Sequence, residues 1–308
     1  MSRVYVGTAG WSYEDWEGIV YPPDRGSRIH PLAYLARFID MVEVNSTFYK
    51  TPSFPISLSW VKKLEAFPDF LLSVKFHQAF THLRKDVTDK DADDFKRGIA
   101  PIVAAGRLAA LLLQFPWSFT NTPAHRSYLA GLFKMFAEYP LALEVRHSSW
   151  DVPSFYGLLR DNAVGFCNID QPVIGKSLGP TAVVTNPKFS YVRLHGRNAK
   201  DWFREGAGRN ARYDYLYAKD ELEDWIRRIR ELGKDSDRIY VITNNHYRGQ
   251  AMANALQIKN MISGKKLAIP SALLEQYPLL ADIVDKIRRG QLDLFASDGP
   301  PSGKGDKG

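Results

Sequence analysis

One cysteine, Cys167, stands in 308 residues. A lone thiol builds no internal disulfide and no thiolate metal site. Cys167 lies in the apolar run Val164–Ile169 and reads as a small buried hydrophobe. No stretch approaches the ~20 apolar residues of a membrane-spanning helix. The chain enters a strand at Arg3 without a signal-type apolar segment. These absences predict a soluble protein of a reducing cytoplasm, with no membrane partner. No GxGxxG turn or P-loop follows a strand, which disfavours a dinucleotide or nucleoside-triphosphate fold. No HxxxH or HxH pair occurs, so a metal centre would need ligands from distant strands.

What is present is a globular composition, 45% hydrophobic and 24% charged, with ample chain for a core. Lys and Arg outnumber Asp and Glu by 41 to 34, a formal charge of +7. That excess is compatible with a polyanionic partner and does not require one.

The stretch LALEVRHSSW, Leu141–Trp150, shows how the chain is organised. Strand side chains alternate with period two, so Leu141, Leu143 and Val145 share one face and Glu144 and Arg146 the other. The pattern recurs with Glu43 and Asn45 in MVEVNST, with Ser73, Lys75 and His77 in LLSVKFH, and with Tyr191, Arg193 and His195 in SYVRLHG. Each time the polar residues gather toward the C-terminal end of an apolar strand. Strands are expected at Arg3–Thr8, Met41–Thr47, Phe70–His77, Leu108–Phe115, Leu141–Val145, Val164–Ile169, Ser190–His195 and Arg238–Thr243. Helical patterns separate most of them, while Asp170–Phe189, with its Gly and Pro residues, reads as an irregular crossover. The fold class predicted is α/β, a (β/α)8 TIM-type barrel over 1–264 with its site at the C-terminal mouth. A C-terminal helical extension is expected over 265–295, with short helices packed under the barrel. A disordered Gly, Pro and Ser tail is expected over 296–308.

The mouth then gathers Glu43, His77, Glu144 and His195 as candidate catalytic groups. Asn45, Lys75, Arg146, His147, Asp170, Arg193, Arg197, Asn244, Asn245 and His246 are the candidate ligand contacts, with Gln114 and Asn168 also on the inward list. Charges at strand ends must pair, be solvated or bind something, because an unpartnered buried charge is expensive. An internal ion-pair layer of Glu43, Glu144, Arg146 and Arg193 is one reading. A metal centre on the His and carboxylate groups is a second, opposed by Lys75, Arg146 and Arg193 in the same lumen, and no metal ligand or cofactor is assigned. Retaining glycoside chemistry needs two close carboxyls, but the ends of strands four and seven carry Gln114 and His195. The mixture fits best an anionic group, phosphate or carboxylate, clamped by Arg146 and Arg193 with added charge from Lys75. His195 or His77 would serve as general acid or base.

Aromatic residues follow the strands: Trp11, Tyr13, Trp16 and Tyr21, then Phe48 and Tyr49, then Trp117, Phe119 and Trp150. They could stack on a ligand or pack as a lid. The loop after strand seven interleaves Arg197, Lys200, Arg204, Arg209 and Arg212 with Trp202 and Tyr213, the mixture a nucleic-acid strand requires.

GTAGWSY, VEVNSTFY, SVKFHQAFTH, LLLQFPWSF, EVRHSSW, YVRLHGR and TNNHYRGQAMANA, in this order from Val6 to about Ala255, resemble the YecE-like family, domain of unknown function 72. The resemblance implies a (β/α)8 barrel and carries no established activity. A looser likeness links such barrels to the endonuclease IV and xylose isomerase type, which use dense His and carboxylate metal clusters; Lys75, Arg146 and Arg193 in this mouth argue against chemistry of that kind. Gln291–Phe295, QLDLF, is similar to the pentapeptide with which bacterial replication and repair proteins bind the DNA sliding clamp. Gln291 would orient the peptide, and Leu292, Leu294 and Phe295 are its apolar residues. The leading expectation is a phosphate-bearing ligand at the mouth, nucleic acid preferred, with a phosphodiesterase-like hydrolase as the enzyme class. A small-molecule enzyme on a sugar phosphate or carboxylate and a non-catalytic adaptor are the alternatives. A narrow lidded pocket would favour the first of these, and an open basic groove would favour nucleic acid.

Overall fold

Apolar strands buried on both faces need covering on both sides, and a closed parallel sheet with an outer ring of helices provides it. The computed structural model describes residues 2–23, 29–84, 87–206 and 208–285. Its strands are β1 (Arg3–Ala9), β2 (Met41–Val44), β3 (Leu71–Lys75), β4 (Leu108–Gln114), β5 (Leu141–Glu144), β6 (Gly165–Asp170), β7 (Ser190–Leu194) and β8 (Arg238–Thr243). They pair in sequence order into a closed barrel. β8 returns to β1 in parallel, from Arg3 opposite Arg238 to Thr8 opposite Thr243.

The described helices are α1 (Pro31–Leu35), α2 (Phe54–Lys63), α3 (Asp89–Ala104), α4 (Pro123–Met135), α5 (Pro153–Asp161), α6 (Ala199–Trp202), α7 (Gly208–Arg212), α8 (Lys219–Asp235), α9 (Gln250–Ser263) and α10 (Ser271–Gln276). Local chemistry sets several of their ends. Thr88 opens α3 with a capping box: its side chain accepts from the Asp91 N–H, and the Asp91 carboxylate accepts from the Thr88 N–H. α8 buries Leu222, Trp225, Ile226, Ile229 and Leu232 along one stripe, and its other face is charged. α6 and α7 lie in the stretch after β7, Gly196–Tyr217, that the sequence presents as a long polar loop.

No helix covers the segment between β6 and β7, and the reason is visible in β6 itself. Asn168 accepts from the Val183 N–H (2.8 Å) and the Thr181 hydroxyl (2.8 Å), and donates to the Val183 carbonyl (3.1 Å). Thr185 accepts from the Phe166 N–H (2.7 Å) and donates to the Val164 carbonyl (2.6 Å). The crossover is thus laced to the outside of β6 by side chains, in the place where a helix would otherwise lie.

After α9 ends at Gly264, whose left-handed backbone (φ 67°) closes the helix, the chain flanks α9. Leu267 bridges to Val284, and the Tyr277 hydroxyl donates to the Arg248 carbonyl at the mouth end (2.7 Å). The extension therefore packs beside α9, not under the barrel as expected. Its apolar residues Ile269, Leu273, Leu280 and Val284 find their cover there. Gln291–Phe295 and the expected tail 296–308 lie outside the described residues. Among the described residues no helix is long and apolar enough to cross a membrane.

Candidate functional site

Inside the barrel the polar strand ends form a layered network. At its base Tyr191 donates to Glu43 (2.9 Å) and shares a hydrogen bond with Ser73 (2.7 Å). Above it Arg193 donates from one terminal nitrogen to Glu43 (2.6 Å) and from the other to Glu144. Glu144 also accepts from Arg146 Nε (2.9 Å) and lies 3.3 Å from His195 Nε2. Asn244 Nδ2 lies 2.9 Å from His195 Nδ1. Glu43, Glu144 and His195 are fully buried. Burial alone would raise the Glu144 carboxyl, but Arg193, His195 and Arg146 outweigh it and hold it well below the usual carboxylate range.

His195 is neutral for a physical reason. Asn244 donates to Nδ1, which leaves the ring proton on Nε2, 3.3 Å from Glu144 Oε1. Burial pushes its pKa down to about 3; the pull of Glu144 is offset by Arg146 and Arg193, which already balance that carboxylate. Trp202 and Tyr213 close over the ring, at centroid distances of 6.1 and 6.3 Å. His195 is fully buried and is not among the side chains that line the cavity above the layer.

Above the layer lies a cavity of about 90 Å³ lined by Asn45, Lys75, Gln114, Arg146, Arg193 and Asn244 together with aromatic residues of the rim. Arg146 is anchored to Glu144 through Nε, and its guanidinium carbon lies 5.5 Å from the Trp202 ring centroid. Its two terminal nitrogens have no protein hydrogen-bond partner among the described residues. Arg193, expected as the second half of an anion clamp, has both terminal nitrogens committed to the glutamates. The internal ion-pair reading thus describes Arg193, while Arg146 keeps donors to spare. Asn45 Oδ1 is buried with no hydrogen-bond partner among the described residues. β2 ends before Asn45, because Thr47 donates to the carbonyls of Val44 (2.9 Å) and Lys75 (2.6 Å) and turns the chain into a short 3-10 helix.

Aromatic side chains finish the cavity. Tyr13 stacks on His246 at 4.4 Å, and Phe48, Tyr49 and Tyr213 complete the rim. Gly196, in the left-handed region at φ 89°, lets the chain leave β7 close under Tyr215, where a Cβ would come within 2.7 Å of that side chain. The loop it begins carries Trp202 and Tyr213 back across the mouth. A second cavity of about 270 Å³ shares Tyr13, Asn45 and Tyr49 with the first and adds Trp11. Depressions of about 310 and 570 Å³ lie at the opposite, N-terminal face of the barrel.

Nine of the fourteen expected catalytic and ligand residues therefore come together: Asn45, Lys75, Arg146, Arg193, Asn244 and His246 around the cavity, with Glu43, Glu144 and His195 beneath it. Five do not. Asp170 pairs with Leu194 in the β6–β7 register, so it shares the outward face with Leu194, while its neighbour Ile169 aligns with inward Arg193. There it accepts from Arg197 Nε (2.9 Å) and Trp225 Nε1 (2.8 Å). Asn168 is outward for the same reason, and the inward residues toward the end of this strand are Cys167 and Ile169. Arg197 is held by Asp170 and Glu221 (2.9 Å). His147 accepts from the Ser149 N–H at the start of a 3-10 turn and packs against Trp117. Asn245 donates to Tyr215 and Asn254 behind the wall. His77 lies two residues beyond the end of β3 and turns to the rim, its Nε2 3.3 Å from the Tyr49 carbonyl. Tyr13, Phe48, Tyr49 and Tyr213, expected only as loop aromatics for stacking or lid packing and not among the candidate site residues, line the cavity. Among the described residues no three His, Cys, Asp or Glu side chains converge to hold a metal ion.

Comparison with known proteins agrees with this architecture. The family model "Protein of unknown function DUF72" matches residues 5–276. UPF0759 protein YunF of Bacillus subtilis (strain 168) is 32% identical over 272 residues, 84% of this chain and 94% of that protein. The crystal structure of a DUF72 family protein from Thermotoga maritima MSB8 superposes with a TM-score of 0.74 at 36% identity, covering 84% of this chain and 99% of the other. One from Enterococcus faecalis V583 gives 0.74 at 25% identity, covering 84% and 95%. The match along the barrel and its strand-end motifs places the chain in the DUF72 family.

Proposed function

We propose that the barrel mouth binds the anionic head of a small molecule, a carboxylate or a phosphate, on Arg146. The observation that carries this reading is the Arg146 guanidinium, oriented by Glu144 and Trp202, lining a cavity of about 90 Å³ with its terminal donors unused. Glu43 and Glu144 already balance Arg146 and Arg193, so a protonated Lys75 leaves the mouth with one positive charge for an anion to neutralise. A planar guanidinium with two parallel donors matches carboxylate and phosphate geometry.

Two features favour a small ligand over a nucleic-acid strand. The loop after β7 lies across the mouth through Trp202 and Tyr213 instead of lining an open groove. Arg197 and Arg204, two of its basic residues, pair within the protein, with Asp170 and Glu221 and with Asp201 (3.0 Å). The aromatic cavity beside the first accommodates an apolar or ring-bearing remainder of the ligand.

Isothermal titration of the full chain with inorganic phosphate, pyruvate and a neutral amide of similar size tests the reading. Saturable binding of an anion but not of the amide is expected, weakened at least about tenfold in Arg146→Met, as loss of a charge-assisted hydrogen bond implies. Equal binding by the wild type and a folded Arg146→Met protein, or no anion binding by either, would overturn it.

A further inference from the structure

Lys75 stands apart from the other charged groups of the mouth. Its Nζ makes no hydrogen bond or ion pair with any described residue and lies 4.2 Å from the centroid of the Phe48 ring. The carboxylates that could have paired with it are occupied, Glu43 by Arg193 and Tyr191, and Glu144 by Arg193 and Arg146. The side chain lines the same cavity as Arg146 and Asn45. The charged groups around it are Glu43 from β2, Glu144 and Arg146 at the end of β5, and Arg193 from β7, with His82 following β3. Burial and the charge of Arg193 lower the Lys75 pKa to about 7; Glu43 and Glu144 oppose this, and Arg146 adds to it. At neutral pH a substantial fraction is the free amine, the state in which lysine attacks carbonyl carbon.

We propose that Lys75 is a nucleophile that forms an imine with the carbonyl of a small oxo acid whose carboxylate is held by Arg146, an inference that rests on the anion site proposed above. Lys75 and Arg146 line the same cavity of about 90 Å³, the space in which a carboxylate held on the guanidinium would present its adjacent carbonyl carbon to the amine. In the step, the nitrogen lone pair forms the C–N bond while the carbonyl π pair moves to oxygen. One amine proton passes to that oxygen and gives the carbinolamine. The second leaves with the hydroxyl as water, and the C=N bond forms. No oxidant or reductant is required. Asn45 Oδ1, buried and without a donor among the described residues, lines the cavity where it can accept from the carbinolamine hydroxyl.

Two labelling experiments on the folded full chain decide this. The first is reductive methylation with formaldehyde and cyanoborohydride across pH, read by peptide mass mapping. It should modify Lys75 with a midpoint near its pKa of about 7, well below that of the surface lysines, which serve as the internal reference. The second replaces formaldehyde with pyruvate. A single reduced adduct at Lys75 is expected, absent in Lys75→Met and formed at least about tenfold more slowly in Arg146→Met, as loss of a bidentate clamp predicts. Lys75 that resists formaldehyde, or that follows the surface profile, overturns the nucleophile. Formaldehyde labelling at low midpoint without a pyruvate adduct overturns the oxo-acid assignment. A pyruvate adduct formed at full rate in Arg146→Met leaves the nucleophile standing and removes the anion site beneath it.

Discussion

At the scale of single residues, Glu144 and His195 determine how the mouth responds to acid. Glu144 ionises more readily in the folded protein than the free value of 4.5, so it contributes stability above that value and loses it as pH falls below. His195 has a pKa of about 3 in the fold against 6.5 free. Between those values the unfolded chain binds a proton that the folded protein refuses. The two effects share a sign, so their joint contribution to stability is full above about pH 6.5 and declines through the acid range. Urea unfolding at a series of pH values should show a slope of up to about 1.4 kcal/mol per pH unit from His195 alone. His195→Gln, which cannot titrate, should flatten the upper part of that curve. An unaltered curve would contradict the buried neutral imidazole.

At the scale of elements, the crossover between β6 and β7 is the part of the fold whose support is least ordinary. A helix satisfies its own backbone, whereas this segment relies on Asn168 and Thr185. Asn168→Ala removes the acceptor for the Val183 N–H and the donor to its carbonyl in a buried place. A loss of about 1–3 kcal/mol is expected, the cost of leaving such groups unsatisfied, with faster amide exchange localised to 181–185. A uniform rise in exchange across the barrel, or no loss, would argue against a local tie. Asn168 belongs to this support and not to the mouth, while Asp170 of the same strand holds Arg197 and Trp225.

At the scale of the whole molecule, a formal charge of +7 and a barrel whose basic loop is partly self-paired predict weak, strongly salt-dependent association with duplex or single-stranded DNA, without the phosphate contacts of a dedicated groove. Fluorescence anisotropy at two salt concentrations measures this. Tight binding that survives the higher salt would return the reading to nucleic acid. Gln291–Phe295 makes a separate prediction. If QLDLF is a clamp ligand, the full chain shifts the mobility of a bacterial DNA sliding clamp, and the Leu294→Ala, Phe295→Ala double variant does not. Equal behaviour of the two proteins would assign those apolar residues to the chain itself.

The barrel was legible in the order of the residues. Period-two alternation, apolar runs covered on both faces and helix-forming segments between them are local properties, and they specify eight parallel strands in order with little dependence on distant partners. The sequence also brought Glu43, Lys75, Glu144, Arg146 and Arg193 to the mouth, because polar residues at the C-terminal ends of apolar strands have one lumen to enter. Alternation gives two faces but does not say which is inward, and a step of one residue exchanges them. Only the register with β7 turned Asp170 outward and Cys167 inward. Only the assembled network separated Arg193, whose terminal nitrogens are both committed, from Arg146, whose terminal nitrogens are not. The state of Lys75 is likewise a tertiary property, since it depends on burial and on charges carried by three other strands or their ends, which no window of sequence contains.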